Sequence, residues 1–190
     1  MPLAITTMAN RNLISADPDA DFQAWKGIAG DGNVLRFSRI RSGNKRCWCT
    51  INDHASFVRL TQGLSFNGHF ATDGEAVIAT NQMPGTTLKI GFDPPIFGLG
   101  VDIEPIPPAV VPGQTYRVEL TLNNTQVGES QTLSANGTIG ACKFIAAKSD
   151  RDNLDEIEIR VSLIDNTGHA NAVDFGINRL ELLAPVGNIA

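Results

Sequence analysis

Alternation of apolar and polar residues with a period of two is the dominant pattern of this chain. Four runs show it, at residues 88–92, 97–104, 116–122 and 156–163. In each run one face carries large apolar side chains, and the other face carries charged, polar or small residues. Half-buried antiparallel strands require this alternation, because successive side chains of a strand point to opposite faces.

A further run near the C-terminus changes its parity. Its apolar residues occupy odd positions up to Ile177 and even positions from Leu180 onwards. A one-residue slip at Asn178-Arg179 would restore a single apolar face, and the pattern therefore predicts a β-bulge there. The alternative is a strand that is buried on both of its faces.

Turn signals separate these runs at the spacing typical of sandwiches and barrels. Pro-Gly, Asn-Gly and Asn-Asn steps, together with Asp93-Pro94-Pro95, supply the fixed or positive φ that turns need. Helix is predicted only at 17–27, for a turn or two. Weaker strand candidates lie at 34–41, 46–51, 56–61, 64–70, 75–80, 126–134 and 138–146.

These runs predict about eleven strands, which is a number typical of an all-β domain. Strands without crossover helices cannot form a parallel sheet. Two packed antiparallel sheets are the expected solution. The sequence therefore predicts an all-β fold, an antiparallel two-sheet β-sandwich of jelly-roll-like form with little helix.

Length and composition predict one domain with its own core. The 190 residues fall within the range of about 100–200 that is typical of one domain. Apolar residues make up 42% and charged residues 18% of the chain, so a core is available and the charge is too low for a disordered chain. We expect an N-terminal arm at 1–16 and a single sandwich at 17–190, with a stiff loop at 105–112.

The charge balance and the hydropathy exclude several kinds of partner. A net charge of −5 argues against general affinity for nucleic acid or anionic lipid, since both favour a basic patch. No stretch approaches the roughly 20 apolar residues of a membrane span. Residues 1–22 lack the cationic and apolar regions of a signal peptide, which leaves a cytosolic protein, a removed leader or another export route.

The sequence contains no recognisable catalytic motif. Its three histidines, His54, His69 and His169, stand beside Asn, Asp or Gly, and we expect them in solvent-exposed loops. An enzyme would need a cleft in which one of them meets a carboxylate and a basic residue. The sequence therefore predicts that the protein is not an enzyme.

The cysteines do not form a disulfide scaffold. Cys47, Cys49 and Cys142 are odd in number, so one bridge within the chain is the most that can form. The spacing of Cys47 and Cys49 has no second pair that would complete a zinc site. We expect buried or unreactive thiols, with a bridge to Cys142 or a redox or metal role as the alternatives.

Calcium is the metal that the acidic residues favour. Two clusters space their carboxylates so that a curled backbone could bring them to one hard cation. The alternative is that these carboxylates cap turns and face water. The candidate ligands are Asp17, Asp19 and Asp21 in the first cluster and Asp150, Asp152 and Asp155 in the second.

Sugar binding by a sandwich usually uses an exposed aromatic ring, because rings stack on the apolar faces of pyranoses. The chain has two tryptophans and one tyrosine, and Tyr116 follows the inward pattern of its strand. Trp25 and Trp48 are therefore the candidate ligand-binding residues.

Three segments of the stretch 76–183 resemble a loose class of exported bacterial β-sandwich proteins, many of which carry a C-terminal PEP-CTERM sorting tail. The segments are VIATNQMPGTTLKIGFDPPIFGLGVDIEP, the hairpin that begins YRVELTLNNTQVGES, and AVDFGINRLEL. The small residues Gly98 and Gly100 match one strand of that class, and the closing strand is matched by Asp174, Phe175, Ile177 and Asn178.

The resemblance implies a jelly-roll fold and an extracellular or cell-surface location. In calcium-stabilised jelly rolls an acidic or amide residue near the closing strand can ligate the ion, which makes Asp174 and Asn178 further calcium candidates. The chain ends in APVGNIA, without a sorting motif, anchor helix or basic tail, so membrane anchoring is not expected.

Two functions follow as hypotheses. The first is a non-catalytic extracellular or surface module that binds glycan or matrix and is stabilised by calcium. The second is a structural subunit that assembles with copies of itself into a filament, sheath or shell. In the second, the N-terminal arm would add a strand to a neighbour's sheet edge.

Overall fold

A computed structural model describes residues 3–8, 11, 29–35, 39–41, 47–81, 85–109, 111 and 113–184. A 3-10 turn occupies His54–Ser56, and no helix in this part of the chain is long and apolar enough to span a membrane. Fourteen strands lie within the described residues. They are β1 (Ile5–Thr7), β2 (Asn33–Val34), β3 (Arg39–Arg41), β4 (Trp48–Asn52), β5 (Phe57–Thr61), β6 (Ala76–Thr80), β7 (Leu88–Ile96), β8 (Gly98–Ile106), β9 (Thr115–Asn124), β10 (Glu129–Thr138), β11 (Lys143–Ser149), β12 (Leu154–Ile164), β13 (Ala170–Ala172) and β14 (Asp174–Leu183).

The strands form two antiparallel sheets. Sheet A has the order β1-β11-β8-β14-β6-β5-β2, and sheet B has the order β10-β9-β12-β7-β4-β3, with β13 paired to β12. The prediction of an all-β, antiparallel two-sheet sandwich is confirmed. The strands beyond the expected eleven are short ones of two or three residues, such as β1, β2 and β13, which are too brief to show a clear period.

The core lies between the inward faces of the two sheets, where the alternation placed it. On β9, Tyr116, Val118, Leu120 and Leu122 are fully buried, and the side chains between them are partly exposed. The same alternation holds at the start of β7 and along much of β12. Burying each large apolar side chain contributes about 1.5–3 kcal/mol, which makes this interior the main source of stability.

The bulge in the closing strand is confirmed. The pairing of β14 with β8 shifts register between Asn178 and Glu181, and Arg179 adopts a φ of 46°. The shift returns Leu180 to the core side that Ile177 occupies. The alternative of a strand buried on both faces also holds, because Asn178 and Glu181 on the outer face are fully buried.

Strand β8 differs from the half-buried strand that the alternation predicted. Leu99, Val101 and Ile103 enter the core, but Asp102 and Glu104 on the outer face are also buried, with 4% and 5% exposure. Two segments distant in sequence cover this face. Arg11 of the N-terminal segment contacts Asp102, and the loop between β5 and β6 contacts Glu104.

Two local predictions were wrong. Residues 64–70 form a loop rather than a strand, because Phe66 and Phe70 stack on each other and pack against Val77 on the outer face of β6. Residues 93–95 lie inside β7 rather than in a turn, with a cis bond between Asp93 and Pro94. The ladder between β7 and β12 is irregular beside them, and such irregularities tolerate proline.

Part of the predicted N-terminal arm lies on the sandwich. Strand β1 pairs with β11 at the edge of sheet A, and the backbone N–H of Met8 donates to the carbonyl of Ala146 at 2.9 Å.

All three cysteines fall within the described residues and none forms a disulfide. Cys47 and Cys49 are buried and Cys142 is half-buried, so the alternative of a bridge to Cys142 was wrong.

Candidate functional site

A cavity of about 330 Å³ opens on the outer face of sheet A beneath the β5–β6 loop (residues 62–75). Apolar side chains from four parts of the chain form its walls, and a carboxylate and an imidazole contribute polar groups. We call it the Glu104 pocket. Its principal lining residues are Leu60, Phe66, Asn67, His69, Glu104, Ile106 and Ile139.

The β5–β6 loop is held over the sheet by stacked aromatic rings and by hydrogen bonds. The ring centroids of Phe66 and Phe70 are 5.4 Å apart, and both rings pack against Val77. The side-chain amide of Gln62 donates to the carbonyl of Gly68 at 2.8 Å. The hydroxyl of Ser65 donates to Asp31 at 2.6 Å. These contacts hold residues 62–70 in place.

The close approach of this loop to the sheet requires glycine at position 68. A Cβ at Gly68 would overlap the ring of Phe66 and would lie 2.6 Å from Oε2 of Glu104. Because no side chain occupies this space, the backbone of the next residue can reach the carboxylate. The sequence Asn67-Gly68-His69 therefore brings backbone and imidazole together at Glu104.

His69 binds Glu104 through two groups. Its backbone N–H donates to Oε2 at 2.6 Å, and its Nδ1 lies 2.6 Å from Oε1. Since a carboxylate only accepts hydrogen bonds, this contact places a proton on Nδ1 and leaves Nε2 of a neutral ring as an acceptor. The Glu104 side chain is 6% exposed and the His69 side chain is 54% exposed, so the ring forms the solvent side of the pair.

The surroundings of the pocket are apolar and negative. No Lys or Arg is among its described lining residues, and Asp102 follows the same face of β8 as Glu104. Burial raises the pKa of the Cys142 thiol, and the charges of Asp102 and Glu104 raise it further. Burial also raises the pKa of Tyr116, with smaller effects from Cys142 and Glu104. The pocket therefore favours neutral or cationic ligands over anions.

A second buried polar group adjoins the pocket on the same face of sheet A. The guanidinium of Arg11 contacts the carboxylates of Asp102 and Glu181, and it lies 4.5 Å from the centre of the Phe144 ring. Burial is the largest cause that raises the pKa of both carboxyl groups, and Arg11 partly opposes it. Oε2 of Glu181 has no hydrogen-bond partner in the described part of the protein.

The calcium candidates that the structure describes are not brought together. Asp150 and Asp152 are exposed, whereas Asp155 accepts hydrogen bonds from the backbone and hydroxyl of Thr125 at 2.8 Å. No group of three or more acidic, His or Cys side chains suited to a metal occurs among the described residues. Asp17, Asp19 and Asp21 lie outside the described residues.

The two candidates from the closing strand have partners of their own. Asp174 accepts a hydrogen bond from the hydroxyl of Thr80 at 2.6 Å. The amide of Asn178 donates to the carbonyl of Ala76 at 3.0 Å. The described candidates therefore do not fit one shared calcium ion.

Trp48 lies on the outer face of sheet B, on the opposite side of the sandwich from the pocket. The guanidinium of Arg39 lies 4.6 Å from the centre of its ring and is held by Asp93 at 3.0 Å. One face of the ring is therefore covered by a cation rather than open to a ligand. Trp25, the other candidate, lies outside the described residues.

The three histidines lie in turns or loops, as expected, but one of them has a specific partner. His54 belongs to the 3-10 turn, and His169 is 82% exposed in the turn after β12. His69 meets the carboxylate that an enzyme would need. The described residues that line the pocket include no Lys or Arg to complete that arrangement, and the Ser65 hydroxyl donates to Asp31.

Sequence reasoning missed the pair of His69 and Glu104. The local pattern predicts a solvated position for both residues, because it reflects only their near neighbours in the sequence. A signal for the pair existed in β6, whose residues Ala76–Thr80 begin with four apolar residues in succession. A continuous apolar run predicts a strand that is buried on both faces and hence a cover over the outer face of the sheet.

No protein-family model and no curated protein matches this chain. Similar solved structures include a family 29 carbohydrate binding module, at 13% identity and a TM-score of 0.41, covering 96% of this chain and 89% of that one. A CBM29-2 variant complexed with cellulohexaose has 13% identity and a TM-score of 0.41, and the match covers 96% of this chain and 92% of that one. Another variant, complexed with mannohexaose, has 14% identity and a TM-score of 0.39, and the match covers 96% of this chain and 92% of that one. At these values the likeness says nothing about what this chain binds.

Proposed function

We propose that this protein is a non-catalytic β-sandwich module that binds glycan, and that the Glu104 pocket holds one sugar unit. A single observation carries the proposal: a buried carboxylate lies at the floor of an apolar-walled cavity that opens to solvent. A few convergent polar groups in an otherwise apolar cavity are typical of small-molecule sites.

The chemistry of the pocket matches that of a pyranose. A pyranose presents an apolar face of C–H groups and a rim of hydroxyl groups. The side chains of Leu60, Phe66 and Ile106 would contact the apolar face. The oxygens of Glu104 each accept one bond from His69 and retain lone pairs for sugar hydroxyls. Hydrogen bonds to a charged carboxylate are among the stronger ones in proteins.

The charge of the pocket defines the class of sugar. Glu104 is unopposed by any Lys or Arg among the described lining residues. A uronic acid or a sulfated sugar would bring a second negative charge into a site of low dielectric, which is unfavourable. We therefore expect neutral or amino sugars to bind, and acidic sugars to be rejected.

The absence of catalysis is part of the proposal. Hydrolysis of a glycosidic bond uses two carboxyl groups on opposite sides of the bond. Among the described lining residues Glu104 is the one acidic side chain, so a second carboxyl group facing it across a bound sugar is lacking there. This arrangement supports binding without bond cleavage.

The proposal includes an extracellular or cell-surface location, where such glycans are presented, and calcium as a stabilising ion with Asp17, Asp19 and Asp21 as its candidate ligands. Binding to an array of immobilised neutral, amino and acidic glycans tests the glycan-binding function. We expect retention on neutral or amino glycans by the wild type and not by Glu104→Gln. A chelator arm shows whether calcium contributes. No retention on any glycan would refute the function, and cleavage of a retained glycan would refute its non-catalytic character.

A further inference from the structure

Strand β10 is the longest edge strand among the described residues. All ten of its residues, Glu129–Thr138, pair with β9 in an unbroken register. No other described strand pairs with β10. Backbone N–H and C=O groups therefore line its open side, and such an edge is a template for another strand.

The other edge strands in the described part of the sandwich are much shorter. In sheet A the edge strands β1 and β2 contain three and two residues. In sheet B the edge strand β3 contains three residues, two of which are arginine. Short edges and charged edges are two of the ways in which proteins prevent pairing with further chains.

Strand β10 has none of these protective features. It contains no proline, lysine or arginine, and its register with β9 has no bulge. Its one charged residue, Glu129, stands at the first position, and the nine residues 130–138 are uncharged. Its outward side chains are small and polar: Ser130, Thr132, Ser134 and Asn136, all of them exposed.

The inward side of this edge is incompletely covered. Leu133 and Ala135 pack against the core but remain partly exposed. A groove of about 320 Å³ runs between them and the edge of sheet A, where Met8, Phe144 and Ala146 line it. A strand added beside β10 would cover this groove and would shield Leu133 from water.

We propose that β10 pairs antiparallel with β10 of a second copy of this chain, which joins two B sheets into one continuous sheet. The inference is independent of the glycan proposal. An antiparallel pair of identical strands places the same surface on both subunits, as a two-fold symmetric dimer requires. Because nine successive residues are uncharged, no like charges meet along the pair.

One register pairs all nine uncharged residues on matching faces. It is centred on Ser134, which faces Ser134 of the second copy. It places Thr132 opposite Asn136, and Leu133 opposite Ala135 on the core side. Hydroxyl and amide groups then meet outside, apolar groups meet inside, and Glu129 falls beyond the paired stretch. An extended peptide from another protein is the competing occupant.

The oligomeric state of the full chain tests the proposal. Analytical ultracentrifugation from micromolar to millimolar concentration should show a dimer for the wild type. The variant Ser134→Lys brings two positive charges together at the centre of the pair and should be monomeric. Position 134 is exposed on the folded subunit, so the variant should retain its fold. The control Thr121→Lys adds the same charge on the interior strand β9 and should remain dimeric.

A charge-swap experiment identifies the edge. Ser134→Lys and Ser134→Glu should each be monomeric alone and should form a mixed dimer when combined. A wild type that is monomeric at every concentration overturns the proposal. A dimer that survives in both variants, or a mixture that stays monomeric, also overturns it. A monomer that binds an extended peptide along β10 would assign this edge to another protein.

Discussion

Arg11 forms an ion pair with Glu181, a side chain that has no exposed surface and lies 170 residues further along the chain. The same guanidinium contacts Asp102 on the neighbouring strand β8. The N-terminal segment is thereby attached to the closing strand, and two buried carboxylates share the positive charge of Arg11. This contact should matter for stability far more than a surface ion pair.

Replacing Arg11 with alanine should destabilise the fold. Removal of one partner from a buried ion pair costs roughly 3–5 kcal/mol, because the remaining charge stays buried and unpaired. We expect the lower end of this range, since the Arg11 side chain is 28% exposed and water can enter. Urea unfolding of wild type and variant measures the change.

The control for this prediction is Arg39→Ala. Arg39 pairs with Asp93, but both side chains are largely exposed. Exposed pairs contribute about 0–1 kcal/mol, so this variant should remain close to the wild type. Equal losses in the two variants would show that the burial of Asp102 and Glu181 is not what makes Arg11 important.

The pH dependence of stability should report the burial of Glu181. Burial raises the pKa of this carboxyl above its ordinary value of 4.5, against the opposing effect of Arg11. The folded protein then binds the proton more tightly than the unfolded chain does. The free energy of unfolding therefore falls as the pH rises from the ordinary pKa to the raised one. Glu181→Gln removes this titration and should show a smaller fall.

Asp165 gives a control of the opposite sign. Hydrogen bonds from Thr167 and His169 lower its pKa below 3.8, so its contribution to stability is present above the ordinary pKa and is lost on acidification. Asp165→Asn should therefore reduce the loss of stability at acidic pH. Urea unfolding across a pH series measures both variants. Identical pH profiles for Glu181→Gln and wild type would contradict the prediction.

Gly137 should not tolerate a side chain. It lies opposite Tyr116, and a Cβ there would lie 2.6 Å from the Tyr116 hydroxyl oxygen. The ring is fully buried and its hydroxyl donates to the carbonyl of Ala141 at 2.7 Å, so it cannot move away without losing that bond. We expect Gly137→Ala to lower the free energy of unfolding by about 1–3 kcal/mol.

Gly91→Ala is the matched control, because Gly91 also lies within a strand of sheet B. The nearest atom to a Cβ at Gly91 is 3.7 Å away, which is an ordinary contact. Its replacement should be neutral or should stabilise the protein by about 0.5–1 kcal/mol, because alanine loses less backbone entropy on folding. Thermal unfolding of both variants measures the difference, and a similar loss in each would refute the steric explanation.

The sequence predicted the interior of this sandwich well, because the interior depends on local periodicity. The period of two identified β9 and β12, and the change of parity at Asn178-Arg179 identified the bulge in β14. These features follow from how successive side chains of one strand are directed, and no knowledge of the rest of the chain is required.

The candidate site was not predictable in the same way, because distant segments form it. The sequence pattern alone predicts that Glu104 and Asp102 are solvated. In the structure the β5–β6 loop covers Glu104, and Arg11 contacts Asp102. The pattern of Phe66 and Phe70 resembled a strand, because their partner Val77 lies in another element. Acidic spacing likewise predicted calcium ligands without showing whether Asp155 or Asp174 point to a common centre.

Isothermal titration of the soluble form of a retained glycan locates the site most directly. The variants Glu104→Gln and Trp48→Ala probe the two sides of the sandwich. His169→Ala is a control outside the pocket, where a loop histidine lies near another carboxylate, Asp165. We expect Glu104→Gln to weaken binding about 10- to 100-fold, as loss of a charged hydrogen bond does. Trp48→Ala and His169→Ala should bind as the wild type does. Unchanged affinity in Glu104→Gln, with binding lost in Trp48→Ala, would contradict a sugar site in the Glu104 pocket.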